Sequence, residues 1–276
     1  MTDRIPLAGV IGSPIAHSRS PVMHMHWLAT LGLAGHYIPM DVAQQDLERV
    51  LQTLPRMGFV GVNVTVPHKE TVLQFADQVT DRAGLIGAAN TLTFRAGGGI
   101  VADNTDGYGF IENLRRGAPN WDAAAGPAVV VGAGGASRAV VASLIEAGVP
   151  EIMVSNRTRI RAERLREDLG RRVRVVDWSQ VRNVLGDAGL LVNTTSLGMT
   201  GNPPLRLSLD GLRPDAVVTD LVYAPLRTEL LQVAEARGCV TVDGLGMLLY
   251  QGVPGFERWF GQRPTVDEAT RRAVLG

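Results

Sequence analysis

Short apolar runs alternate with segments whose apolar residues recur at helical spacing along most of the chain. In the first hundred or so residues, several runs have the length and composition of buried strands. Strands are predicted at 6–12, 36–42 and 59–66, with helices at 20–32 and 45–58 between them. Two shorter runs, 91–94 and 99–104, flank a glycine-rich turn at 97–99 and predict a hairpin. A further helix is predicted at 107–117.

A second series of the same kind begins at residue 128. Its predicted strands are 128–131, 151–156, 172–178, 189–196, 216–223 and 239–244. Helices are predicted at 137–148, 161–170 and 226–238, and two more within 246–276. Strands that alternate with helices form parallel sheets, so the pattern predicts the α/β class. The small, polar, Pro/Gly-rich segment 117–127 separates the two series and predicts a domain junction.

The composition excludes several classes of function. The 276 residues carry 27 acidic and 27 basic side chains, so no net field attracts nucleic acid or an anionic membrane. No apolar run is long enough for a membrane helix, and the first residues lack the features of a secretion signal. The single cysteine, Cys239, excludes an internal disulfide and is expected to be a buried structural thiol. We therefore expect a cytoplasmic protein, and the absence of metal-ligand spacing predicts no metal.

Lys69 is the only lysine among 27 basic residues. A lysine amine can release its proton when burial or neighbouring charges lower its pKa, whereas an arginine stays protonated. The scarcity of lysine fits an arginine-biased coding sequence, in which Lys69 would be a surface remnant. Its place within "NVTVPHKE" favours the alternative, that Lys69 transfers a proton or contacts a substrate.

The segment "VVVGAGGASRA" at 129–139 joins a β-branched strand to an apolar helix through Gly132, Gly134 and Gly135. Glycines at this spacing allow a tight turn and let a dinucleotide pyrophosphate approach the backbone at the helix N-terminus. Ser137 stands where a third glycine or an alanine is usual, which predicts slightly looser packing of the helix on the strand. A purely structural turn is the alternative, since glycine-rich turns are common.

The next predicted strand ends at Asn156 and Arg157, 24 and 25 residues after Gly132. An NAD site has an acidic residue there for the ribose 2′-hydroxyl, whereas an arginine can pair with a 2′-phosphate. The segment therefore predicts NADP rather than NAD. Arg161 is a weaker candidate because it lies in a run of eight arginines between 157 and 174. Acidic residues at helical spacing interrupt that run, so it indicates a solvated helix face rather than a nucleic-acid site.

Polar residues of the first series suit a small polyhydroxylated substrate, because open α/β sheets bind ligands at the carboxyl ends of their strands. They are Ser18, Ser20, Thr65, Asn90 and Asp106. Each has a structural alternative: either serine could cap the following helix, Asn90 could be a turn residue, and Asp106 could cap the helix at 107–117. His17 and His68 flank these motifs, but single loop histidines are usually structural or exposed to solvent.

Nine motifs between about residue 8 and residue 255 make the chain resemble the shikimate dehydrogenases, in which they occur in the same order. They are "HSRSP", "NVTVPHK", "GAANT", "DNTDG", "VGAGGASRA", "NRT", "NTTSLGM", "DLVY" and "DGLGMLLYQG". The resemblance implies an N-terminal mixed-sheet substrate domain, residues 1–105, completed by C-terminal helices at 246–276. It also implies a Rossmann NADP-binding domain at residues 106–245.

The resemblance further implies roles for individual residues. The catalytic pair would be Lys69 and Asp106. The substrate ligands would be Ser18, Ser20, Thr65, Asn90, Tyr223 and Gln251, with Asn63 nearby. The cofactor contacts would be Gly132, Ala133, Gly134, Gly135, Ala136, Asn156, Arg157 and Thr158. Along the nicotinamide would lie Thr194, Thr195, Ser196, Met199 and Gly244.

The implied reaction is the reversible reduction of 3-dehydroshikimate to shikimate with NADPH, in aromatic amino-acid biosynthesis. Lys69 would give or take the hydroxyl proton, and Asp106 would hold the amine and the substrate hydroxyl in line. Which of the two is the base stays open, because coupled groups titrate jointly.

Two alternatives remain: a relative that acts on quinate, and a non-catalytic NADP-binding regulator with the same fold. The absence of an acidic residue at 156–158 argues against the NAD-using quinate enzymes. The presence of both Lys69 and Asp106 argues against a regulator. The oligomeric state is open, with a homodimer as one of the states that fit.

Overall fold

The computed structural model describes residues 4–276, which form two compact units. The first consists of the chain up to Thr105 together with Leu248–Gly276, and the second of Asp106–Met247. Each unit is built on a six-stranded sheet. Among residues 4–276, no helix has both the length and the apolar character that crossing a membrane requires.

The first unit has a mixed sheet. Its strands are β1 (Leu7–Gly12), β2 (His36–Asp41), β3 (Phe59–Val64), β4 (Gln78–Val79), β5 (Thr91–Phe94) and β6 (Ile100–Asp103), in the order β2-β1-β3-β5-β6-β4. β1 pairs in parallel with β2 and β3, whereas β5 pairs antiparallel with β3 and β6. The β5–β6 hairpin turns at Gly98 and Gly99, whose positive φ angles favour glycine. The predicted hairpin and mixed sheet are confirmed.

Helices pack on this sheet through their apolar faces. They are α1 (Ser20–Thr30), α2 (Leu47–Thr53), α3 (Asp81–Ile86), the main part of α9 (Leu245–Phe260) and α10 (Glu268–Leu275). Leu47 and Leu51 of α2, for example, share one core cluster with Val62 of β3. The predicted helix at 45–58 is only partly α-helical, because short 3₁₀ segments precede and follow α2 and the left-handed Gly58 ends the second.

Trp259 of α9 packs against β3 where only a glycine fits. Its indole Nε1 donates a hydrogen bond to the carbonyl oxygen of Leu92, 3.1 Å away, beside Gly61. A Cβ atom on Gly61 would overlap that nitrogen. The missing side chain at Gly61 therefore lets α9, which also carries Gln251, approach the sheet closely.

His24 of α1 lies in an aromatic cluster with no exposed surface. Its ring stacks on Tyr37 with centroids 3.9 Å apart and an interplanar angle of 5°. Neither ring nitrogen has a hydrogen-bond partner among the described residues. Burial lowers the pKa of His24 from 6.5 to about 3, because the charged ring would lose its hydration. The histidine is therefore neutral in the folded protein at neutral pH.

The second unit has a parallel sheet. Its strands are β7 (Ala128–Val131), β8 (Ile152–Ser155), β9 (Val173–Val175), β10 (Leu190–Asn193), β11 (Val217–Asp220) and β12 (Val240–Val242). Their order is β12-β11-β10-β7-β8-β9, and every pair is parallel. This is the strand order of Rossmann domains, so the predicted fold class is confirmed. β8 and β9 are added on one side of β7, whereas β10, β11 and β12 are added on the other side, so the order of the strands reverses between β7 and β10. Such a switch point opens a crevice at the carboxyl ends of the strands.

Apolar side chains cover both faces of the parallel sheet. The helices of this unit are α4 (Asp106–Gly117), α5 (Gly135–Ala147), α6 (Arg159–Leu169), α7 (Val181–Val184) and α8 (Glu229–Ala236). The first residues of α9 are the last residues of this unit. Phe110 of α4 and Leu144 of α5 belong to one core cluster, and Leu230 of α8 belongs to the other. Cys239 is buried in that second cluster, as predicted.

The segment 117–127 is not a domain junction, so that prediction is wrong. It lies inside the second unit, where Trp121 and Ala123 pack against the same cluster as Phe110 and Leu114 of α4. Its small and polar composition is typical of a loop, but composition does not show which core a loop packs against. The helix before it already belongs to this unit.

Gly61→Ala should destabilise the protein by about 1–3 kcal/mol, because the added methyl group displaces the indole of Trp259. Gly84→Ala is the matched control. Gly84 is an exposed residue of α3 with nothing in residues 4–276 within 4 Å of its Cβ position, so alanine should be neutral or stabilise by up to about 1 kcal/mol. Urea unfolding followed by circular dichroism measures both changes. Equal stabilities of the two variants would contradict the packing described for Gly61.

Stability in acid should depend on His24. Below about pH 6.5 the unfolded chain protonates this histidine, whereas the folded chain does so only near pH 3, so the free energy of unfolding falls as the pH falls. Between about pH 7.5 and pH 5, the wild type should lose about 2 kcal/mol more than His24→Phe, which keeps a flat ring on Tyr37 but cannot titrate. Urea unfolding at several pH values measures the difference. His36→Gln, at an exposed histidine, should keep the wild-type profile, and parallel profiles for wild type and His24→Phe would refute the prediction.

Candidate active site

The glycine turn after β7 is shaped by close backbone contact. Gly132 has a φ of 112°, and a Cβ atom there would overlap the hydroxyl of Thr194, which follows β10. Gly134 and Gly135 instead face open space, with nothing in residues 4–276 within 4 Å of a Cβ position. The α5 N-terminus receives no side-chain cap from the described residues, so its first N–H groups are available to an anion. The turn fits a dinucleotide pyrophosphate.

Ser137 connects α5 to this turn. Its hydroxyl donates a hydrogen bond to the carbonyl oxygen of Gly132 at 2.7 Å, and its side chain is fully buried. The slightly looser packing predicted at this serine stays a prediction, and the structure adds a direct hydrogen bond from helix to turn. Because the buried hydroxyl is satisfied, serine is accommodated where glycine or alanine is usual.

A cavity of about 730 Å³ opens at the switch point between β7 and β10. Its lining residues are Val131, Gly132, Ala133, Gly134, Ser155, Asn156, Arg157, Arg161, Trp178, Thr194, Thr195, Ser196 and Leu197. The structure thus brings together the glycine turn, the end of β8 and the segment after β10. These were the three segments in which the sequence predicted most of the cofactor contacts.

Some of the predicted cofactor residues do not line this cavity. They are Gly135, Ala136, Thr158, Met199 and Gly244. Thr158 precedes α6, and its carbonyl oxygen accepts a hydrogen bond from the Asn156 amide at 2.8 Å. Gly244 follows β12 and lies so close to β11 that a Cβ atom would overlap the backbone of Leu221. Direct cofactor contacts of these residues stay predictions.

Two arginines that line the cavity have no ion-pair partner in the described part of the chain. Neither Arg157 nor Arg161 forms a salt bridge within residues 4–276, whereas Arg159 is paired with Glu163 and Asp177. Of the described residues, no aspartate or glutamate lines the cavity. The sequence ranked Arg161 below Arg157, but the structure places both on the same cavity. Two unpaired guanidinium groups suit a phosphate monoester better than a ribose hydroxyl.

Asp220 fixes the end of β11 beside the segment that follows β10. Its buried carboxylate accepts hydrogen bonds from the Asn193 amide at 2.9 Å, the Val222 backbone at 3.0 Å and the Thr228 hydroxyl at 2.7 Å. Burial raises the pKa of Asp220, although these three donors oppose the change. The carboxylate therefore connects three parts of the chain by hydrogen bonds. They are the end of β10, the segment between β11 and Tyr223, and the start of α8.

Buried amides and hydroxyls form a continuous network in the first unit. The Asn90 amide donates to Oε1 of Gln251 at 3.0 Å, and its Oδ1 accepts from the backbone N–H of Thr105 at 2.8 Å. Asn63 donates to the Asn90 carbonyl oxygen at 3.0 Å and accepts from the Tyr37 hydroxyl at 2.7 Å. The predicted substrate residues Asn90 and Gln251 are thereby oriented by each other and by their neighbours.

Lys69 lies half-buried in the turn that follows β3. Its carbonyl oxygen accepts a hydrogen bond from the backbone N–H of Ala89 at 2.8 Å, next to Asn90. In the same turn, the backbone N–H of Thr65 donates to the carbonyl oxygen of Ile11 in β1 at 2.9 Å. The turn therefore holds the lysine motif at the carboxyl ends of β1 and β3, beside the segment that carries Asn90.

Ser18 and Ser20 lie at the start of α1. The Ser18 hydroxyl accepts a hydrogen bond from the backbone N–H of Ser20 at 3.3 Å, but the N-cap position of α1 is Arg19, which makes no side-chain cap. His68 is buried, and its Nε2 lies 2.7 Å from the carbonyl oxygen of Val42, which fits the structural alternative. His17 is exposed to solvent.

Asp106 is the first residue of α4 and is only 7% exposed. It belongs to the second unit, as does the half-buried Tyr223 after β11. The preceding Thr105 belongs to the first unit, where its hydroxyl donates to the carbonyl oxygen of Gln251 at 2.8 Å. The polar network of the first unit thus ends at the residue that leads into Asp106. Residues 4–276 contain no cluster of His, Cys, Asp or Glu suited to a metal ion.

Thr105, Tyr37 and Trp178 were not singled out from the sequence. Thr105 lies inside the "DNTDG" motif, so its place next to Asp106 was a usable signal. Tyr37 and Trp178 stand in predicted strand segments that match no motif. Only the fold shows that Tyr37 holds Asn63 and that Trp178 lines the cavity.

The crevice at the switch point and the turn beneath it define a dinucleotide-binding α/β protein. Three family models match the chain. They are the shikimate dehydrogenase substrate binding domain at residues 10–92, shikimate / quinate 5-dehydrogenase at 119–199, and the shikimate 5′-dehydrogenase C-terminal domain at 244–275. The chain belongs to the shikimate dehydrogenase family, as its motifs predicted.

Relatives match the chain over nearly its full length. It is 67% identical to shikimate dehydrogenase (NADP(+)) from Roseobacter denitrificans, over 99% of each chain. It resembles the structure of shikimate 5-dehydrogenase from Thermus thermophilus in complex with NADP(H) and shikimate, with a TM-score of 0.86 and 40% identity over 98% of this chain and 100% of that one. It also resembles quinate dehydrogenase from Corynebacterium glutamicum in complex with NAD, with a TM-score of 0.91 and 35% identity over 98% of each chain.

Arg157→Ala should weaken the binding of NADP⁺ by about 10- to 100-fold, because a charge-assisted contact with the 2′-phosphate is lost. NAD⁺ has a hydroxyl at that position, so its Kd should change by less than about threefold. Isothermal titration with both dinucleotides measures this. Arg164→Ala, at an exposed residue of α6 that does not line the cavity, is the matched control and should leave both affinities unchanged. An equal loss for NADP⁺ and NAD⁺ in Arg157→Ala would show that Arg157 does not read the phosphate.

Proposed function

We propose that this chain catalyses the reversible, NADP-dependent reduction of 3-dehydroshikimate to shikimate, in aromatic amino-acid biosynthesis. The observation that carries the proposal is the cavity at the switch point. Among the described residues, it has two arginines free of ion pairs and no carboxylate. The relative that is 67% identical is named for the same cofactor and substrate. In this proposal the second unit binds NADP and the first binds the substrate, which the substrate-binding family model at 10–92 supports.

The first unit supports the binding of a small ring that carries hydroxyl groups. Such a substrate is recognised by donors and acceptors at fixed positions, since an unmatched buried polar group is costly. The proposed ligands are those that the resemblance implies: Ser18, Ser20, Thr65, Asn90, Tyr223 and Gln251. The orientations of Asn90 and Gln251 are already set by the buried network, so little side-chain freedom is lost when the substrate binds.

Lys69 and Asp106 are the proposed catalytic residues. Lys69 gives or takes the proton of the substrate hydroxyl, and Asp106 holds the amine and that hydroxyl in line. When bound, NADP supplies or accepts the hydride at the nicotinamide ring. The residues that line the cavity would bind NADP. The glycine turn would bind the pyrophosphate, and Arg157 would bind the 2′-phosphate.

Oxidation of quinate is the second candidate, and the resemblance to the quinate dehydrogenase from Corynebacterium glutamicum favours it. That protein is described in complex with NAD, whereas the cavity here offers arginines and, among the described residues, no acidic side chain to a ribose. A steady-state comparison of shikimate and quinate, each with NADP⁺ and NAD⁺, decides between them. A higher kcat/KM for quinate with NAD⁺ would overturn the proposal.

The direct test is the loss of NADPH absorbance when 3-dehydroshikimate is added to the protein. Rapid oxidation supports the proposal. A chain that binds NADPH but turns over no cyclic hydroxy acid or its ketone would instead be a regulator with the same fold. A homodimer and a cytoplasmic location stay predictions from the sequence.

Lys69→Ala should lower kcat by about 10²- to 10⁴-fold, because the proton-transfer group is lost, while the Kd for NADP⁺ stays unchanged. Lys69→Arg is the sharper variant, since it keeps the charge but cannot release a proton, and it should be similarly slow. Arg56→Ala, at an exposed residue of the same unit, should keep full activity. Near-normal turnover by Lys69→Arg would reduce Lys69 to an electrostatic role.

A further inference from the structure

Trp178 lines the cavity at the switch point and is 41% exposed. It opens a short 3₁₀ turn, Trp178–Gln180, that follows β9. A single exposed aromatic residue on a protein surface needs no explanation by itself. The position of Trp178 does need an explanation, because the other aromatic residues of the described chain do not line the cavity.

The turn that carries Trp178 is joined to α6. Asp177, the residue before it, pairs with Arg159, which also pairs with Glu163 within α6. The charge of Arg159 is thereby neutralised away from the cavity. The same ion pair holds the Trp178 turn to the helix that carries Arg161.

The covalent structure of a dinucleotide limits where its adenine can lie. If the pyrophosphate lies on the glycine turn and the 2′-phosphate at Arg157, the adenine is attached to the ribose between them. It must then occupy the part of the cavity near the end of β8. Arg157, Arg161 and Trp178 line the cavity from the end of β8, from α6 and from the turn after β9. A purine ring has two apolar faces, and an indole is the best stacking surface that a side chain can offer.

We propose that Trp178 binds the adenine ring of the cofactor by stacking, and so contributes affinity for adenine nucleotides in general. The arginines would select the 2′-phosphate, and the tryptophan would hold the base regardless of that phosphate. This inference rests on the proposed NADP-dependent function. It adds a residue that is not identified by the glycine motif or by the rule that open α/β sheets bind ligands at the carboxyl ends of their strands.

The probes are adenosine 2′,5′-bisphosphate and 5′-AMP, titrated into the full-length protein by calorimetry and by tryptophan fluorescence. Both contain the adenine but lack the nicotinamide, and they differ by the 2′-phosphate. Trp27 and Trp259 are buried in the first unit, and Trp121 does not line this cavity. Quenching by either probe should therefore come from Trp178.

Trp178→Leu should abolish the quenching and raise both Kd values by about 5- to 150-fold. The ratio of the two Kd values should stay as in the wild type, because the arginines are intact. Trp178→Phe, which keeps a smaller stacking surface, should lie between wild type and Trp178→Leu. Trp121→Phe should keep the quenching and both affinities. Thermal melts of each variant show that it is folded.

Three results would overturn the inference. The first is a Trp178→Leu variant that binds both probes within about twofold of the wild type. The second is quenching that persists in that variant. The third is a collapse of the ratio between the two Kd values, which would mean that Trp178 only positions the arginines. If the wild type binds neither probe, the proposed NADP-dependent function itself fails, and this outcome is distinct from the other three.

Discussion

The close approach of two chain segments at Gly132 is the constraint on which the second unit depends. β7 can end against the segment after β10 only because Gly132 has no side chain and adopts a left-handed conformation. This contact lies at the switch point, where the crossovers of neighbouring strands diverge and leave a cavity. It also sets where α5 begins, and with it the position of the uncapped N–H groups. A single missing side chain thus permits the contact beside which the uncapped N-terminus of α5 lies.

The two units offer different chemistry to their ligands for a physical reason. In the first unit, Asn63, Asn90 and Gln251 are buried together, and buried groups of this kind are tolerated because uncharged donors and acceptors satisfy one another. In the second unit, Arg157 and Arg161 line an open cavity, where guanidinium groups need no buried partner. An uncharged set of hydrogen-bonding groups suits hydroxyls, and a cationic wall suits phosphates.

Local patterns predicted most of the strands and helices, the glycine turn and the position of Arg157 after the second strand of the parallel sheet, because each depends on residues close together in sequence. The predictions that failed depended on contacts between distant residues. Segment 117–127 has the composition of a linker, yet Trp121 packs into the core of the second unit. The ranking of Arg161 below Arg157 stays a prediction, but only the fold shows that Arg161 lines the cavity whereas the neighbouring Arg159 is paired with Asp177.

The α/β class, the order of the motifs and the family could all be read from the chain alone, because periodicity, glycine spacing and short motifs are local properties. Which polar groups meet could be seen only after folding. Tyr37 of β2 reaches Asn63 of β3 across β1, which lies between the two strands. Gln251 reaches Asn90 because α9 packs closely on the sheet at Gly61. Hydrogen bonds between residues 26 or 161 positions apart have no local signature, since they form only after the sheets and helices have packed.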